Sequence, residues 1–276
     1  MRSKQIWPVV AAGCVPAIVV GVTMFVGHNI FIAMFLMHWI GMVPAIVFFS
    51  WLYESGDDLR WYSRYIRSQE IKGNAIGCTT FVIVGFAIPV LSYMVLSCKT
   101  ATWGMCIGSV TDNIAEYGFK EAPVWLLVIC LLYFPIVNPF IEEMFWRVFM
   151  NHESEPQLDA NITTEETSAI CIESGVAYTE DSEALVKLQV PSLPLQLLYS
   201  CLFASYHTMV IGVFMGDIKF GIIAFFSITA LGMVFEHLFA INSPTQGFYK
   251  AVALHVGIDL GVLISLGDSV GWYRIV

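Results

Sequence analysis

Three charged side chains lie within six residues of one another in the long apolar stretch 124–149. They are the adjacent Glu142 and Glu143, and Arg147. An ionisable side chain at the centre of a membrane helix costs roughly 2.5–3.5 kcal/mol on insertion scales, so such residues need partners and usually belong to a functional site. A protected carboxylate can take a proton from water, and this segment therefore indicates general-base chemistry.

Helical spacing separates the three charges. Because residues four apart share one face of a helix, Glu143 and Arg147 can form an ion pair within their own helix. Glu142 points about 100° away and has no cation at that spacing, so it is the better candidate for a base. Pro135 and Pro139 lie just upstream, and we expect them to kink the helix before the glutamates and open a water-filled pocket.

Two other apolar stretches carry histidines at helical spacing. His207 follows Phe203 by one turn, and His255 precedes Asp259 by one turn, so that the aspartate can orient the imidazole. Counted from the cytosolic helix ends, Glu142, His255 and His207 lie about 11–20 Å deep. We therefore expect the three side chains to meet in one cavity that opens to the cytosol.

The remaining polar residues in the apolar stretches show no comparable pattern. His38, Glu236 and His237 have no partners at helical spacing, and we interpret them as interfacial or network residues. Gly257 and Gly261 are four residues apart, which is typical of a face where two membrane helices pack closely.

The composition places these segments in a lipid bilayer. Hydrophobic residues make up 57% of the chain and charged residues 13%, with a mean hydropathy of +0.72, whereas soluble domains contain about 25% charged residues. We predict an all-α, polytopic transmembrane helix bundle of about seven spans, with the candidate site on the fourth, fifth and seventh, and no nucleic-acid partner. The predicted spans are 6–26, 31–52, 75–97, 124–149, 194–215, 219–239 and 247–266.

The spans divide into two regions. Residues 1–123 form an N-terminal membrane region of three helices, and 124–276 form the core bundle. The linker 54–74 mixes aromatic and basic residues, which is typical of an amphipathic segment at a membrane surface. The segment 151–192 interrupts the core with nine acidic residues and one basic residue, which account for nearly all of the net charge of −9. We predict that this insert is disordered or loosely folded.

Basic residues near the span ends predict the orientation. They cluster before the first span and in the linker 54–74, on the same side of a seven-span bundle. Because cytosolic loops carry the excess of Lys and Arg, we expect the N-terminus and the insert 151–192 in the cytosol. The pattern suits a multi-pass integral protein of either a bacterial plasma membrane or the endoplasmic reticulum.

The site residues form three motifs in a fixed order on separate membrane helices. These are Glu142-Glu143-xxx-Arg147, Phe203-xxx-His207 and His255-xxx-Asp259. Over about 124–266, leaving out the insert, the chain resembles the CAAX-protease and bacteriocin-processing family. Its members are intramembrane glutamic endopeptidases, and they include the Ras-converting protease that matures prenylated proteins.

The resemblance implies an intramembrane endopeptidase without a cofactor. Its substrate would be a membrane-embedded or lipid-anchored protein or peptide, prenylated ones included. By this likeness, Glu142 activates the attacking water with the help of His207. His255 and Asp259 hold the developing oxyanion or the water. Supporting positions are Glu143, Arg147 and Phe203.

Two positions depart from the family pattern. Val148 stands where Gly is frequent after the arginine, and Asp259 stands where the prenyl-protein proteases have Asn. An ionised aspartate cannot donate a hydrogen bond to an oxyanion, so Asp259 would orient His255 or act in its protonated form.

Two alternatives to a glutamic protease stay open at this point. A zinc-dependent membrane protease could use His207, His255 and either Glu142 or Asp259 as ligands, although the spacing His-Glu-xx-His is missing. A non-catalytic scaffold, an immunity factor or a proton-coupled protein could also contain buried Glu, His and Asp side chains, because such groups serve as proton relays.

Overall fold

The computed structural model describes nine ranges of the chain, which are 6–54, 62–63, 65–66, 75–103, 112–113, 115–119, 122–154, 191–241 and 247–270. Within them the fold is all-α and contains no strand. Seven helices are long and apolar enough to cross a membrane. The predicted polytopic bundle of seven spans is thus confirmed.

The helices, in chain order, agree with the predicted spans to within a few residues at most ends. They are α1 (Ile6–Phe25), α2 (Ile30–Leu36, Met37–Met42 and Val43–Glu54), α3 (Ala75–Trp103), α4 (Val124–Glu143, Met144–Phe149 and Met150–Ser154), α5 (Leu193–Met215), α6 (Ile218–Ile241) and α7 (Gly247–Val270). Helix α4 extends through Ser154, four residues into the predicted insert. The rest of that insert up to 190, and most of the linker 54–74, lie outside the described residues.

Two of the helices contain a π-helical segment, Met37–Met42 in α2 and Met144–Phe149 in α4. The prolines predicted to kink α4, Pro135 and Pro139, lie inside one continuous α-helical segment. The hydrogen-bonding pattern of α4 therefore changes after the glutamates, where we expected a break before them. Short π-helical turns occur often at functional sites.

Helices α3 and α7 approach each other through glycines. A Cβ atom at Gly257 would collide with the carbonyl oxygen of Val82, and one at Gly85 would collide with that of Leu254. Gly261 packs in the same way against the segment around Phe86. Small residues allow membrane helices to gain van der Waals contact along their backbones. The predicted packing face of α7 is thereby confirmed.

Aromatic side chains fill the bundle on the side nearer the N-terminus. Tyr65, which belongs to the linker 54–74, is buried and packs against Phe239 and Phe248. The other fully buried large aromatic residues here are Phe145, Trp146, Phe149, Tyr199, Phe203 and Phe235. This end of the bundle is therefore closed by tightly packed rings, and the described part of the linker contributes to it.

Candidate functional site

A cavity of about 400 Å³ lies among helices α1, α2 and α4–α7. Apolar side chains form nearly all of its wall. The polar and titratable residues that line it are Asn138, Glu142, Tyr206, His207, His255 and Asp259. A mostly apolar cavity with a few converging polar groups is the usual form of a binding or active site.

Glu142 is the side chain on which the polar groups converge. It is 1% exposed, and its Oε2 accepts a hydrogen bond of 2.6 Å from the Tyr206 hydroxyl. The Nε2 atoms of His207 and His255 lie 3.9 and 3.7 Å from that same oxygen. The Nε2 atom of His38 faces the other oxygen, Oε1, at 3.7 Å. Helices α2, α5 and α7 therefore all present an imidazole to one carboxylate of α4.

His255 is held from the other side of its ring by Glu143. The Nδ1 atom of His255 lies 2.8 Å from Glu143 Oε1, whereas its Nε2 is 3.7 Å from Asp259 Oδ1. Asp259 instead accepts a hydrogen bond of 2.9 Å from the amide of Asn138. A carboxylate at one ring nitrogen sets the orientation of the imidazole. Glu143, in place of the predicted Asp259, thus directs His255 Nε2 toward Glu142.

Arg147 lies between two carboxylates and two aromatic rings. Its Nε is 3.6 Å from Glu143 Oε2, as helical spacing predicts, and its Nη1 is 3.4 Å from Glu236 Oε1. The guanidinium also sits 5.1 and 5.4 Å from the ring centres of Phe203 and Phe235. Buried charge of this kind requires compensation on several sides. Glu236 is therefore a member of the buried network, as one of the two sequence interpretations proposed.

The Phe203-xxx-His207 spacing has a direct structural explanation. His207 Nδ1 lies 2.8 Å from the carbonyl oxygen of Phe203, one turn earlier in α5. Because a carbonyl can only accept, Nδ1 carries a proton, and in the neutral imidazole Nε2 is an acceptor on the cavity wall, too far from Glu142 for a direct hydrogen bond. The His207 side chain is 27% exposed, compared with 3% for His255 and 0% for His38. His207 is thus the most accessible of the three imidazoles.

The seven residues predicted for the site lie in one connected cluster. They are Glu142, Glu143, Arg147, Phe203, His207, His255 and Asp259. Sequence reasoning did not assign site roles to five further members of the cluster, which are His38, Tyr133, Asn138, Tyr206 and Glu236. Tyr206 adjoins His207 in the chain and Asn138 lies one helical turn before Glu142, which is a weak signal, but only tertiary packing brings α2 and α6 to the site.

The cavity lies on the opposite side of the site from the one expected. In α4 its lining residues precede Glu142, as far back as Leu127. In α7 they follow His255, as far as Leu263. Both series run away from the face that holds the N-terminus, where aromatic residues fill the bundle. The two predictions, a cavity that opens to the cytosol and an N-terminus in the cytosol, therefore cannot both be right.

Asn113 and the short segment Ala115–Phe119, which lie before α4 in the chain, contact residues at the far end of the cavity. Asn113 donates a hydrogen bond of 3.1 Å to the carbonyl oxygen of Phe214, which lines the cavity. The Tyr117 ring lies 6.4 Å from that of Phe214 and 5.4 Å from that of His28. The far face of the bundle is thereby tied to the ends of α1 and α5.

Three of the site residues could also bind a metal ion. Ligand atoms of Glu142, His207 and His255 all lie within 4.8 Å of one another. Ligands around a tetrahedral zinc ion bound at about 2.0–2.1 Å are separated by roughly 3.3 Å, so modest side-chain shifts would close this set on an ion. The donor types, two imidazoles and a carboxylate, suit zinc and match the predicted alternative.

The structure thus combines a membrane helix bundle with a buried carboxylate, three imidazoles and a largely apolar cavity. Residues 123–261, about half of the chain, match the family model described as type II CAAX prenyl endopeptidase Rce1-like. The chain belongs to this family, which confirms the resemblance drawn from the three motifs. No curated protein and no solved structure matches it.

Family membership and the seven spans together make this a multi-pass integral membrane protein and, in general terms, a membrane endopeptidase that acts on a membrane-associated substrate. The matched residues begin just before α4. Helices α1–α3, and His38 with them, therefore lie outside the part of the chain that carries the family motifs.

Proposed function

We propose that this protein hydrolyses a peptide bond of a membrane-associated protein or peptide with a water molecule activated by Glu142. The observation that supports this proposal most is the position of Glu142, a buried carboxylate that lines the apolar cavity with two imidazoles within 4 Å of one of its oxygens. A carboxylate in such surroundings is suited to general-base catalysis.

The proposed reaction begins with proton transfer from water to Glu142. His207 Nε2, an acceptor on the cavity wall, helps to orient that water. The oxygen then attacks the carbonyl carbon of the scissile bond. When the C–N bond breaks, Glu142 returns its proton to the leaving amine. The peptide is thereby split into a carboxylic acid and an amine, which become a carboxylate and an ammonium group when the acid gives up its proton, and both protein groups regain their starting state.

The developing oxyanion needs a hydrogen-bond donor, which an ionised Asp259 cannot supply. Asn138 lines the cavity and uses one of its two amide N–H groups on Asp259. We assign the second N–H of Asn138 to the oxyanion. In this proposal Asp259 acts by holding the Asn138 amide in place, and the departure from the family pattern at 259 is compensated within the same site.

The apolar cavity supports a lipid-modified or membrane-embedded substrate. Its wall is formed by aliphatic and aromatic side chains from six helices. Leu131 lines the cavity, and the next residue of α4, Leu132, is outside the lining and 60% exposed, so the wall at this point is one side chain away from the apolar outer surface. An apolar chain attached to a substrate could therefore lie in the cavity while the peptide is presented to Glu142.

The test of this function is the variant Glu142→Gln in proteoliposomes, assayed with a quenched-fluorescent peptide that carries a farnesylated cysteine. We expect at least about a 100-fold loss of kcat, since a positioned general base contributes that much or more. Glu116→Gln, the same change at an exposed glutamate, is the matched control. Equal cleavage by wild type and Glu142→Gln would overturn the glutamic mechanism, and retention of a cellular function by Glu142→Gln would favour a scaffold or carrier.

Zinc-dependent hydrolysis is a second candidate mechanism, because Glu142, His207 and His255 could share an ion. It predicts that a chelator abolishes cleavage, that added zinc restores it, and that purified protein contains about one zinc per chain. A glutamic protease would be insensitive to the chelator. Metal analysis of His207→Ala separates the two, since loss of a ligand would also remove the metal.

We also propose that the N-terminus is cytosolic, on the strength of the basic residues near the first two spans. The cavity then extends from Glu142 toward the other side of the membrane. Ser192 and Lys219 are exposed at the starts of α5 and α6, on opposite faces of the bundle. In sealed cells, an impermeant thiol reagent should label Lys219→Cys from outside and spare Ser192→Cys; the reverse pattern would invert the orientation.

A further inference from the structure

Helix α2 brings a third imidazole to Glu142 from outside the family-matched residues. His38 is fully buried, and its Nε2 faces Glu142 Oε1 at 3.7 Å. Its Nδ1 lies 3.0 Å from the hydroxyl of Tyr133, which precedes Glu142 in α4. The oxygen it approaches is the one that Tyr206 leaves free, because Tyr206 donates to Oε2.

The neighbours of His38 decide which of its nitrogens carries the proton. An ionised carboxylate only accepts hydrogen bonds, so the nitrogen that faces Glu142 must be an N–H group. The other nitrogen, Nδ1, then accepts from the Tyr133 hydroxyl. The arrangement is a chain of two donors, Tyr133 O–H to His38 Nδ1 and His38 Nε2–H toward Glu142 Oε1.

The contact between His38 and Glu142 is longer than a hydrogen bond, and among the described residues Nε2 makes none. A fully buried polar nitrogen without a hydrogen-bond partner is unfavourable, so the orientation of His38 Nε2 toward the Glu142 carboxylate calls for an explanation. Hydrogen bonds to catalytic groups are often long in an unliganded enzyme and tighten when substrate binds. His38 also lies in the π-helical segment Met37–Met42. Short π-helical segments are common at functional sites.

His38 reaches Glu142 from behind the cavity. Met34 and Met37, its neighbours on α2, line the cavity wall, whereas His38 is absent from that wall. It can therefore act on the reaction only through Glu142. From these contacts we propose that His38, oriented by Tyr133, is a positioning residue that holds the Glu142 carboxylate in the one rotamer that directs Oε2 at His207 and His255. This inference rests on the proposed role of Glu142 as the base.

Three substitutions at one position test the inference with the full-length protein and the farnesylated peptide. His38→Leu removes both polar nitrogens. His38→Asn retains an amide near Nδ1 that can meet Tyr133 but is too short to reach Glu142. His38→Gln places an amide N–H near the position of Nε2. The matched control is His237→Leu, which removes an exposed histidine of α6.

We expect His38→Leu and His38→Asn to lower kcat by about 10–100-fold, the range for partners that orient a functional group, with KM within about two-fold of wild type. His38→Gln should recover most of kcat, and His237→Leu should match wild type. All four variants should elute as monodisperse protein and melt within a few degrees of wild type.

A buried histidine with a packing role alone would give other results. His38→Gln would then be as defective as His38→Leu, or kcat would follow the melting temperature across the series; either outcome overturns the inference. If Glu142→Gln is inactive while His38→Leu keeps the wild-type kcat, this inference fails and the proposed function stands. If Glu142→Gln cleaves normally, or if wild type does not cleave the peptide, the proposed function fails and the role of His38 fails with it.

Discussion

The two halves of the bundle contribute to the site in different ways. Helices α4–α7, within the family-matched part, carry every residue of the three motifs and the buried pairs around Arg147. Among the described residues, α1 and α2 contribute apolar cavity wall and one polar side chain near Glu142, His38, which lies outside the cavity wall. The difference suggests that the C-terminal half determines the reaction, and that the N-terminal half determines what enters the cavity and how firmly Glu142 is held.

The largest effect is expected at the charged centre of the C-terminal half. Arg147→Met leaves Glu143 and Glu236 buried without their shared cation, and breaking a buried ion pair from one side costs about 3–5 kcal/mol. We expect little folded protein, measured as monodisperse yield in detergent. Lys219→Met, which removes an exposed cation, should express normally. A well-folded Arg147→Met protein would show that the network contributes little to the stability of this half.

The next effect tests the source of the oxyanion donor. Asn138→Ala should lower kcat by about 100–1,000-fold, as removal of an oxyanion donor does in other hydrolases. The double variant Asn138→Asp/Asp259→Asn exchanges the two side-chain types and should recover part of the activity. If Asn138→Ala keeps kcat while Asp259→Asn changes it strongly, the donor belongs to 259 and the assignment to Asn138 is wrong.

A smaller effect is expected at Tyr206. Its hydroxyl donates the shortest hydrogen bond to Glu142, 2.6 Å, and its ring stacks on Trp146. Tyr206→Phe keeps the ring and should lower kcat roughly 10–150-fold, with an unchanged KM, because one hydrogen bond to a charged group contributes about 1.5–3 kcal/mol. Steady-state kinetics of Tyr206→Phe beside Tyr199→Phe, a buried tyrosine away from Glu142, would show whether the loss is local.

The smallest effect should come from the N-terminal half. Met34 lines the cavity from α2, and Met34→Phe narrows it without touching a polar group. We expect KM for the farnesylated peptide to rise a few-fold and kcat to stay near that of wild type, because only binding common to ground state and transition state is lost. A fall in kcat larger than that of Tyr206→Phe would contradict the division of roles between the two halves.

The membrane spans and the motifs could be predicted from the amino-acid sequence because each depends only on residues that are close together in the chain. Apolar runs of about 20 residues predict spans, since the bilayer has a fixed thickness. Spacing of three or four residues predicts the pairs Glu143–Arg147 and Phe203–His207, since a helix repeats every 3.6 residues. These features do not depend on how the helices are arranged, and the structure contains all of them.

Contacts between side chains on different helices could not be predicted in the same way. Asp259 has the right spacing for His255, but Glu143 makes the short contact, because α4 and α7 pack with that carboxylate closer to the ring. His38 and Glu236 have no neighbours at helical spacing, and only the packing of α2 and α6 on α4 gives them partners. The depth of the site residues along their helices predicted that they meet, but it did not predict on which side of them the cavity lies.

The amino-acid sequence by itself determined a seven-span helical membrane protein, the family, and one candidate glutamate that has no cation at helical spacing, together with its motif residues. These follow from bilayer thickness, helical periodicity and the energetic penalty of buried charge. Only the tertiary structure decided on which side of the site the cavity lies, that Glu143 and not Asp259 makes the short contact with His255, and that His38 approaches Glu142. Each of these depends on distances of a few ångströms between helices, and no periodicity within a single helix encodes such distances.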